Sequence, residues 1–203
     1  NIEGFYNRPR VDMELLKKYN GGLIALSACL AGELPRLLMD GRYEDAKQLV
    51  NTYRELFPEG YYIEMQDHGI PEQKELLPKF IQLSKETGVG LVATNDVHYV
   101  EKKDHETQHV LVCLQTGKTV DEPGGLEFST NEFYLKSGEE MAELFSYAPE
   151  AIENTVKIAE QCGFDFEFGV TKLPYFSAPN GQDNTEYFKD LCYAGLHRHY
   201  GEN

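Results

Sequence analysis

Three short apolar runs, each followed by a helical segment and each ending in polar groups, most constrain what this chain can fold into. The runs are Leu23–Cys29, Tyr61–Asp67 and Leu91–Thr94. The segments between them carry helical periodicity. Glu33–Met39 reads as a short helix. In Tyr43–Phe57, Ala46, Leu49, Val50, Tyr53 and Leu56 or Phe57 share one face. In Gln73–Glu86, Leu77, Phe80, Ile81 and Ser84 face inward, with Pro78 either in the first turn or kinking the helix. Pro58-Glu59-Gly60 and Gly88-Val89-Gly90 punctuate the two longer helices. Strands alternating with helices predict βα units around a parallel sheet or barrel.

In such folds chemistry gathers at the C-terminal ends of the strands. Here those ends are Cys29, then Asp67 and His68, then Asp96 and His98. Three polar strand ends in succession predict a common rim. The sharpest is Leu91-Val92-Ala93-Thr94-Asn95-Asp96-Val97-His98, where a buried run stops in a carboxylate, a spacer and an imidazole. Such a pair can hold a Zn²⁺- or Mn²⁺-like ion or activate a water. The competing reading has Asn95 or Asp96 capping the next helix and His98 packing beneath it. Cys29 is either a small buried hydrophobe or a thiolate ligand for zinc. His68 is a candidate rim residue, set against a turn in which Asp67 satisfies backbone donors.

His105-Glu106-Thr107-Gln108-His109 matches HExxH, which on a helix presents two imidazoles and a general base to a zinc ion. A zinc protease also needs a third ligand, and nothing singles one out among Glu139, Glu140 and Glu143. The alternative is a surface turn within the charged stretch that starts at Glu101. His197 and His199 lie two apart on a helix, do not face each other and read as solvated.

Elsewhere Asp12 caps a helix over Met13–Tyr19, ended by Gly21-Gly22. Asp104–Gln115 is helical, Gly117–Thr130 is a polar loop, and Phe133-Tyr134-Leu135 is a short strand. Ser137 caps Glu139–Phe145, and Pro149 opens Glu150–Cys162. Gly163–Asp183 is a linker with Leu173-Pro174-Tyr175-Phe176 as an extended tether, and Thr185 caps a last helix to Tyr200.

The 203 residues carry a net charge of −15, which repels phosphate backbones and predicts a poor nucleic-acid binder when this segment stands alone. No apolar stretch is long enough for a bilayer, so no membrane partner is expected, and the N-terminus has no signal pattern. Asn1 in place of an initiator Met predicts a piece of a longer chain. Cys29, Cys113, Cys162 and Cys192 are scattered and form no CxxC pair, which predicts free thiols in a reducing cytoplasm.

A family resemblance rests on motifs along nearly the whole chain. They are Gly4-Phe5-Tyr6 with Arg8-Pro9-Arg10-Val11-Asp12, Gly22–Glu33, Glu64-Met65-Gln66-Asp67-His68-Gly69 and Val92–Tyr99. They continue through Gln115–Thr119, Phe133–Ser137, Pro149–Thr155 and Leu173–Phe176. In order and spacing the chain resembles the alpha subunits of bacterial DNA polymerase III, from the later part of their polymerase-and-histidinol-phosphatase (PHP) domain into the start of the polymerase body. The resemblance implies an α/β fold, a partial, distorted βα barrel of the PHP, TIM-like type with extra C-terminal helices. Residues 1–163 would be the later part of the PHP domain, and residues 164–203 the linker and first helix leading into the polymerase.

The resemblance carries metal-ligand roles onto Cys29, Asp96 and His98, and no ligand role onto His68. The family's His-x-His motif and further ligands would precede Asn1, and the polymerase aspartates with their Mg²⁺ would lie downstream. The intact chain would then be a DNA-directed DNA polymerase acting in replication. Its PHP domain would hold Zn or Mn and act as a proofreading-type phosphoesterase (a 3′–5′ exonuclease) or as a structural brace. Its partners would be primer-template DNA, deoxynucleoside triphosphates, a sliding clamp and other holoenzyme subunits. This segment alone should not polymerise. The alternatives are a free-standing PHP phosphoesterase, similar to histidinol phosphatases, and the HExxH zinc protease. The tether and the helix reaching the last residues argue against the former.

Overall fold

A computed structural model describes residues 5–121, 129–171 and 173–201. The chain divides between Gly163 and Phe164 into two compact units.

The first unit opens with a two-residue hairpin, β1 (Phe5–Tyr6) and β2 (Arg8–Pro9), and a short helix α1 (Met13–Lys18). Asp12 caps α1 as its sequence predicts, its carboxylate accepting from the Leu15 N–H at 2.9 Å. Then follow β3 (Ala25–Leu26), α2 (Glu33–Met39), α3 (Tyr43–Leu56), β4 (Tyr61–Met65), α4 (Pro71–Thr87) and β5 (Gly90–Ala93). The three strands form one parallel sheet in the order β3-β4-β5. Ile63 of β4 lies opposite Leu91 of β5, and Ala25 of β3 opposite Tyr61.

The sheet is open. Three strands cannot close on themselves, and a closed TIM-like barrel is not formed among the described residues. β3 is shorter than the predicted Leu23–Cys29. It is an edge strand with one partner, and Ala28 at φ +65° turns the chain away two residues after Leu26. Gly32 completes that turn. A Cβ there would lie 2.6 Å from the Ser27 carbonyl oxygen.

The core lies where α2, α3 and α4 pack against the sheet. Leu34, Leu38, Val50, Ile63, Met65, Leu76, Leu83 and Leu91 are all buried. Full burial of each such side chain contributes about 1.5–3 kcal/mol against chain entropy. Helix α4 starts two residues before the predicted Gln73, because Pro71 fits the first helical position. Pro78 lies inside it rather than in its first turn. Its inner face is Gln73, Leu76, Leu77, Phe80 and Leu83, while Ile81 is only partly buried.

After a 3₁₀ turn (Lys102–Asp104) come α5 (His105–Thr116), α6 (Gly138–Leu144) and α7 (Pro149–Gln161). Ser137 caps α6 in a reciprocal box with Glu140. Helix α7 lies on the outer strand, and the Asn154 side-chain amide donates to the Leu91 carbonyl at 2.7 Å, satisfying an edge acceptor. The predicted strand Phe133–Leu135 reduces to a single bridge between Tyr99 and Tyr134. Part of the predicted loop Gly117–Thr130, residues 122–128, lies outside the described residues.

The second unit contains a 3₁₀ turn (Pro179–Gly181) and α8 (Asn184–Tyr200). Asp183, not Thr185, caps α8, its carboxylate accepting from the Thr185 and Glu186 amides at 2.9 and 3.2 Å. Asp183, two residues before Thr185, holds the extended cap conformation, with φ −62° and ψ 135°, from which its carboxylate reaches both amides. Among the described residues no helix is long and apolar enough to cross a membrane.

Candidate metal centre

The β5 ladder runs one residue beyond the strand, the Thr94 N–H donating to the Met65 carbonyl at 3.0 Å. The chain then leaves the sheet abruptly. Asp96 takes φ +41°, a conformation that costs a non-glycine residue about 1–2 kcal/mol unless its surroundings hold it. Two residues later the His98 imidazole meets the Asp96 carboxylate, Nε2 to Oδ1 at 3.4 Å. The side chains are 36% and 39% exposed, so an ion or substrate can reach both. Neither Asn95 nor Asp96 caps a helix. The next cap is Glu101, at the 3₁₀ turn.

The segment 130–136 braces this loop from outside. The His98 N–H donates to the Phe133 carbonyl at 2.9 Å. The Asn95 amide donates to the Tyr134 carbonyl at 2.6 Å, and Lys136 Nζ donates to Asn95 Oδ1 at 3.2 Å. The rings of His98 and Phe133 meet in a T-shaped contact, with centroids 5.6 Å apart. Lys136 is almost wholly covered, its side chain 5% exposed, and lies 4.3 Å from the Tyr134 ring centroid. Burial pulls the Lys136 ammonium below its ordinary pKa, against the opposing pull of Glu132. Glu132 sits between Lys102 and Lys136. Burial would raise its pKa, but the two lysines outweigh that and hold the carboxyl below the usual range. Tyr134 donates to Glu140 at 2.7 Å, which with burial pushes its phenol up to about 12.

His68 lies behind the loop and is fully buried. Its Nε2 is 2.8 Å from the Asn95 carbonyl oxygen, which only accepts, so Nε2 carries the proton. Its Nδ1 accepts from the Gln73 side-chain amide at 2.9 Å, while Gln73 Oε1 accepts the His68 backbone N–H at 2.8 Å. Thr130 Oγ1 donates to the His68 carbonyl at 2.7 Å. Both ring nitrogens are therefore occupied within the protein.

Cys29 is partly buried and unpaired. It lines a small cleft of about 10 Å³, room for a single water-sized group, with Glu64, Gln66 and Gln73 at the ends of β3 and β4. Glu64 accepts from Thr94 Oγ1 and from Gln66 Nε2, the latter at 2.9 Å, and Gln66 Oε1 is buried without a partner. The structure thus brings Asp96 and His98 together but does not add Cys29 to them. Among the described residues no three His, Cys, Asp or Glu side chains form a metal-sized group.

The fit of a metal is decided by the pair. In a tetrahedral site with bonds of about 2.1 Å, neighbouring donors lie about 3.4 Å apart. The Asp96–His98 separation matches that, and carboxylate oxygen with imidazole nitrogen suits Zn²⁺ or Mn²⁺. The pair supplies two donors of a set that needs more. His105 and His109 open α5 without a third donor, among the described residues. His109 Nε2 lies 3.8 Å from Cys113 Sγ, and the His105 ring meets Tyr99 edge-on.

Sequence reasoning missed the parts played by Gln73, Asn95, Phe133 and Lys136. A Gln on an inward helix face, where an apolar residue is the norm, was the one available signal.

Comparison with known proteins adds the context. The PHP domain family matches residues 1–68, a span that includes Cys29 and His68 and stops short of Asp96. DNA polymerase III subunit alpha of Treponema pallidum (strain Nichols) is 45% identical over 201 residues, covering 98% of this chain and 17% of its own length. The subunit of Borreliella burgdorferi is 44% identical over 202 residues, covering 98% of this chain and 18% of its own length. That of Thermus aquaticus is 38% identical over 205 residues, with 98% and 17% covered. The chain thus spans well under a quarter of the length of these relatives.

Proposed function

Because the chain belongs, over the segment it spans, to the family of DNA polymerase III alpha subunits, we propose that it is part of a replicative polymerase subunit whose intact form carries out template-directed DNA synthesis. The observation that supports this most is identity of 45% extending over 98% of the chain, across both of its compact units. Residues 1–163 are read as the later part of the PHP domain, within a βα barrel that other parts of the protein complete. Residues 164–203 are read as the passage into the polymerase body. The intact subunit would work in the cytoplasm on primer-template DNA and deoxynucleoside triphosphates, with a sliding clamp and other holoenzyme subunits. Its polymerase Mg²⁺ would be bound outside this segment. At net charge −15, the segment itself contributes little to gripping DNA.

The local role proposed for this segment is a share of a PHP metal site. Asp96 and His98 would be direct ligands, and Cys29 a third once the remaining ligands draw the strand ends together. Held by these residues, a divalent ion would supply a bound water of lowered pKa and charge to stabilise a scissile phosphate, the chemistry of 3′-terminal nucleotide removal. The chain's own share is to present Asp96 Oδ1 and His98 Nε2 at ligand spacing and to keep them open to solvent.

The test uses the full-length protein. Bound Zn and Mn are measured by elemental analysis in wild type, Asp96→Asn and Cys29→Ala, alongside primer extension and 3′–5′ hydrolysis of single-stranded DNA. Loss of metal with retained primer extension is expected. Metal content unchanged in both variants would overturn the site, and an intact protein unable to extend a primer would overturn the polymerase reading.

A further inference from the structure

We propose that His68 is a positioning residue that sets the conformation of the metal-binding loop through the Asn95 carbonyl. This rests on the reading of Asp96 and His98 as ligands. The Asn95 carbonyl belongs to the peptide plane that joins Asn95 to Asp96, so its direction fixes the φ angle of Asp96. That angle is +41°, in the region an aspartate seldom occupies. His68 Nε2–H holds the plane at 2.8 Å from a side chain with no solvent exposure. The geometry is determined in turn from behind. Gln73 grips His68 twice, by Oε1 to the backbone N–H and by Nε2 at 2.9 Å to ring Nδ1, the shorter of its two contacts with that nitrogen, and with the Asn95 carbonyl at Nε2 this places the proton of the neutral ring on Nε2. The ring is wedged flat against Phe133, with centroids 4.0 Å apart and planes 9° from parallel.

The arrangement runs from helix α4 through Gln73 and His68 to the peptide plane before Asp96. With the Nε2–H removed, Asp96 is free to relax to negative φ, which swings its carboxylate away from His98. Partners that orient metal ligands from behind typically change metal affinity about 10–100-fold when lost.

The experiment uses full-length protein and two substitutions. His68→Leu removes the donor, whereas His68→Gln places an amide N–H near the position of Nε2. Hydrogen exchange of the His98 amide, bonded to the Phe133 carbonyl, is read in metal-free protein. Mn²⁺ affinity is read separately by titration. His68→Leu should exchange at His98 at least about tenfold faster, the scale of one lost hydrogen bond, with β4 and β5 amides unchanged. It should weaken Mn²⁺ binding about 10–100-fold. His68→Gln should recover most of both. Wild-type exchange at His98 in His68→Leu overturns the inference whatever the metal result. Mn²⁺ binding that Asp96→Asn leaves intact overturns the metal reading instead. Should His68→Leu fail to fold, the wild-type ¹⁵N spectrum of His68 decides: a proton on Nδ1 rather than Nε2 overturns the inference.

Discussion

The ring of Phe133 lies 4.0 Å from that of His68 and nearly parallel to it, while it meets the His98 ring at a steep angle, with centroids 5.6 Å apart. One aromatic side chain therefore joins the buried imidazole behind the Asp96 loop to the accessible imidazole in it. Phe133 is 7% exposed, so Phe133→Ala leaves a cavity and removes both ring contacts. A loss of about 3–5 kcal/mol is expected, with the smaller truncation Phe133→Leu costing distinctly less. Urea unfolding of the full chain measures both. A cost below about 1 kcal/mol for Phe133→Ala would show that the site collapses around the gap or that the packing is not made.

The turn after β3 offers a test with the opposite chemistry. Gly32 has ordinary backbone angles, φ −67° and ψ 162°, so its role is space rather than conformation. An added Cβ would lie 2.6 Å from the Ser27 carbonyl oxygen and 3.0 Å from that of Cys29. Neither oxygen can yield easily: the Cys29 carbonyl accepts the Gly32 N–H at 2.7 Å, and Ser27 pairs with β4 through its own N–H. Gly32→Ala should destabilise by about 1–3 kcal/mol, the usual range for overpacking. Thermal unfolding checks it, and a Tm within a degree or so of wild type would refute the close approach.

Ala28, four residues earlier, inverts the usual rule for glycine. Replacing Ala by Gly normally costs about 0.5–1 kcal/mol in chain entropy. Ala28 sits at φ +65°, where a Cβ costs about 1–2 kcal/mol. Ala28→Gly should therefore be neutral or stabilising by up to about 1 kcal/mol. Denaturant midpoints decide it, and the ordinary loss would mean the turn is not left-handed in solution.

These positions show what a single sequence does and does not disclose. Apolar runs alternating with helical periodicity were enough to place three parallel strands, because burial on both faces leaves a strong local pattern. The Asp96–His98 pair was visible because both residues follow one strand. Cys29 was visible as a strand end, but its distance from the pair is set by the packing of β3 against β4, which no local pattern encodes. The brace was invisible for the same reason. His68 to Asn95 spans 27 positions, and Asn95 to Tyr134 spans 39. The strand expected over Phe133–Leu135 was an apolar-aromatic pattern serving another purpose. Its backbone and rings grip the loop, and only one bridge forms. The alternation left parallel sheet and barrel both open, and the barrel that the family resemblance implied is not formed among the described residues, whose strands make an open sheet.

The brace also carries a pH dependence. Glu132 is held between Lys102 and Lys136, with Lys136 Nζ 3.6 Å from its Oε2. Burial works against the carboxylate, but the lysines prevail, and the folded-state pKa falls below the ordinary 4.5. With a depressed folded pKa, the unfolded chain binds more protons as pH falls through the window beneath the ordinary value, so unfolding gains ground there. The contribution from Glu132 is thus fully present above the ordinary carboxylate pKa and lost as pH drops through the folded one. Because Lys136 also holds Asn95 Oδ1, protonating Glu132 loosens the brace at the loop itself. Glu132→Gln should be less stable than wild type at neutral pH by an amount that shrinks as the pH is lowered toward about 3, where both proteins lack the charge. Urea midpoints across that range, read beside hydrogen exchange of the His98 amide, test it. A stability gap between Glu132→Gln and wild type that stays constant down the acid limb would show that the lysines do not hold this carboxylate.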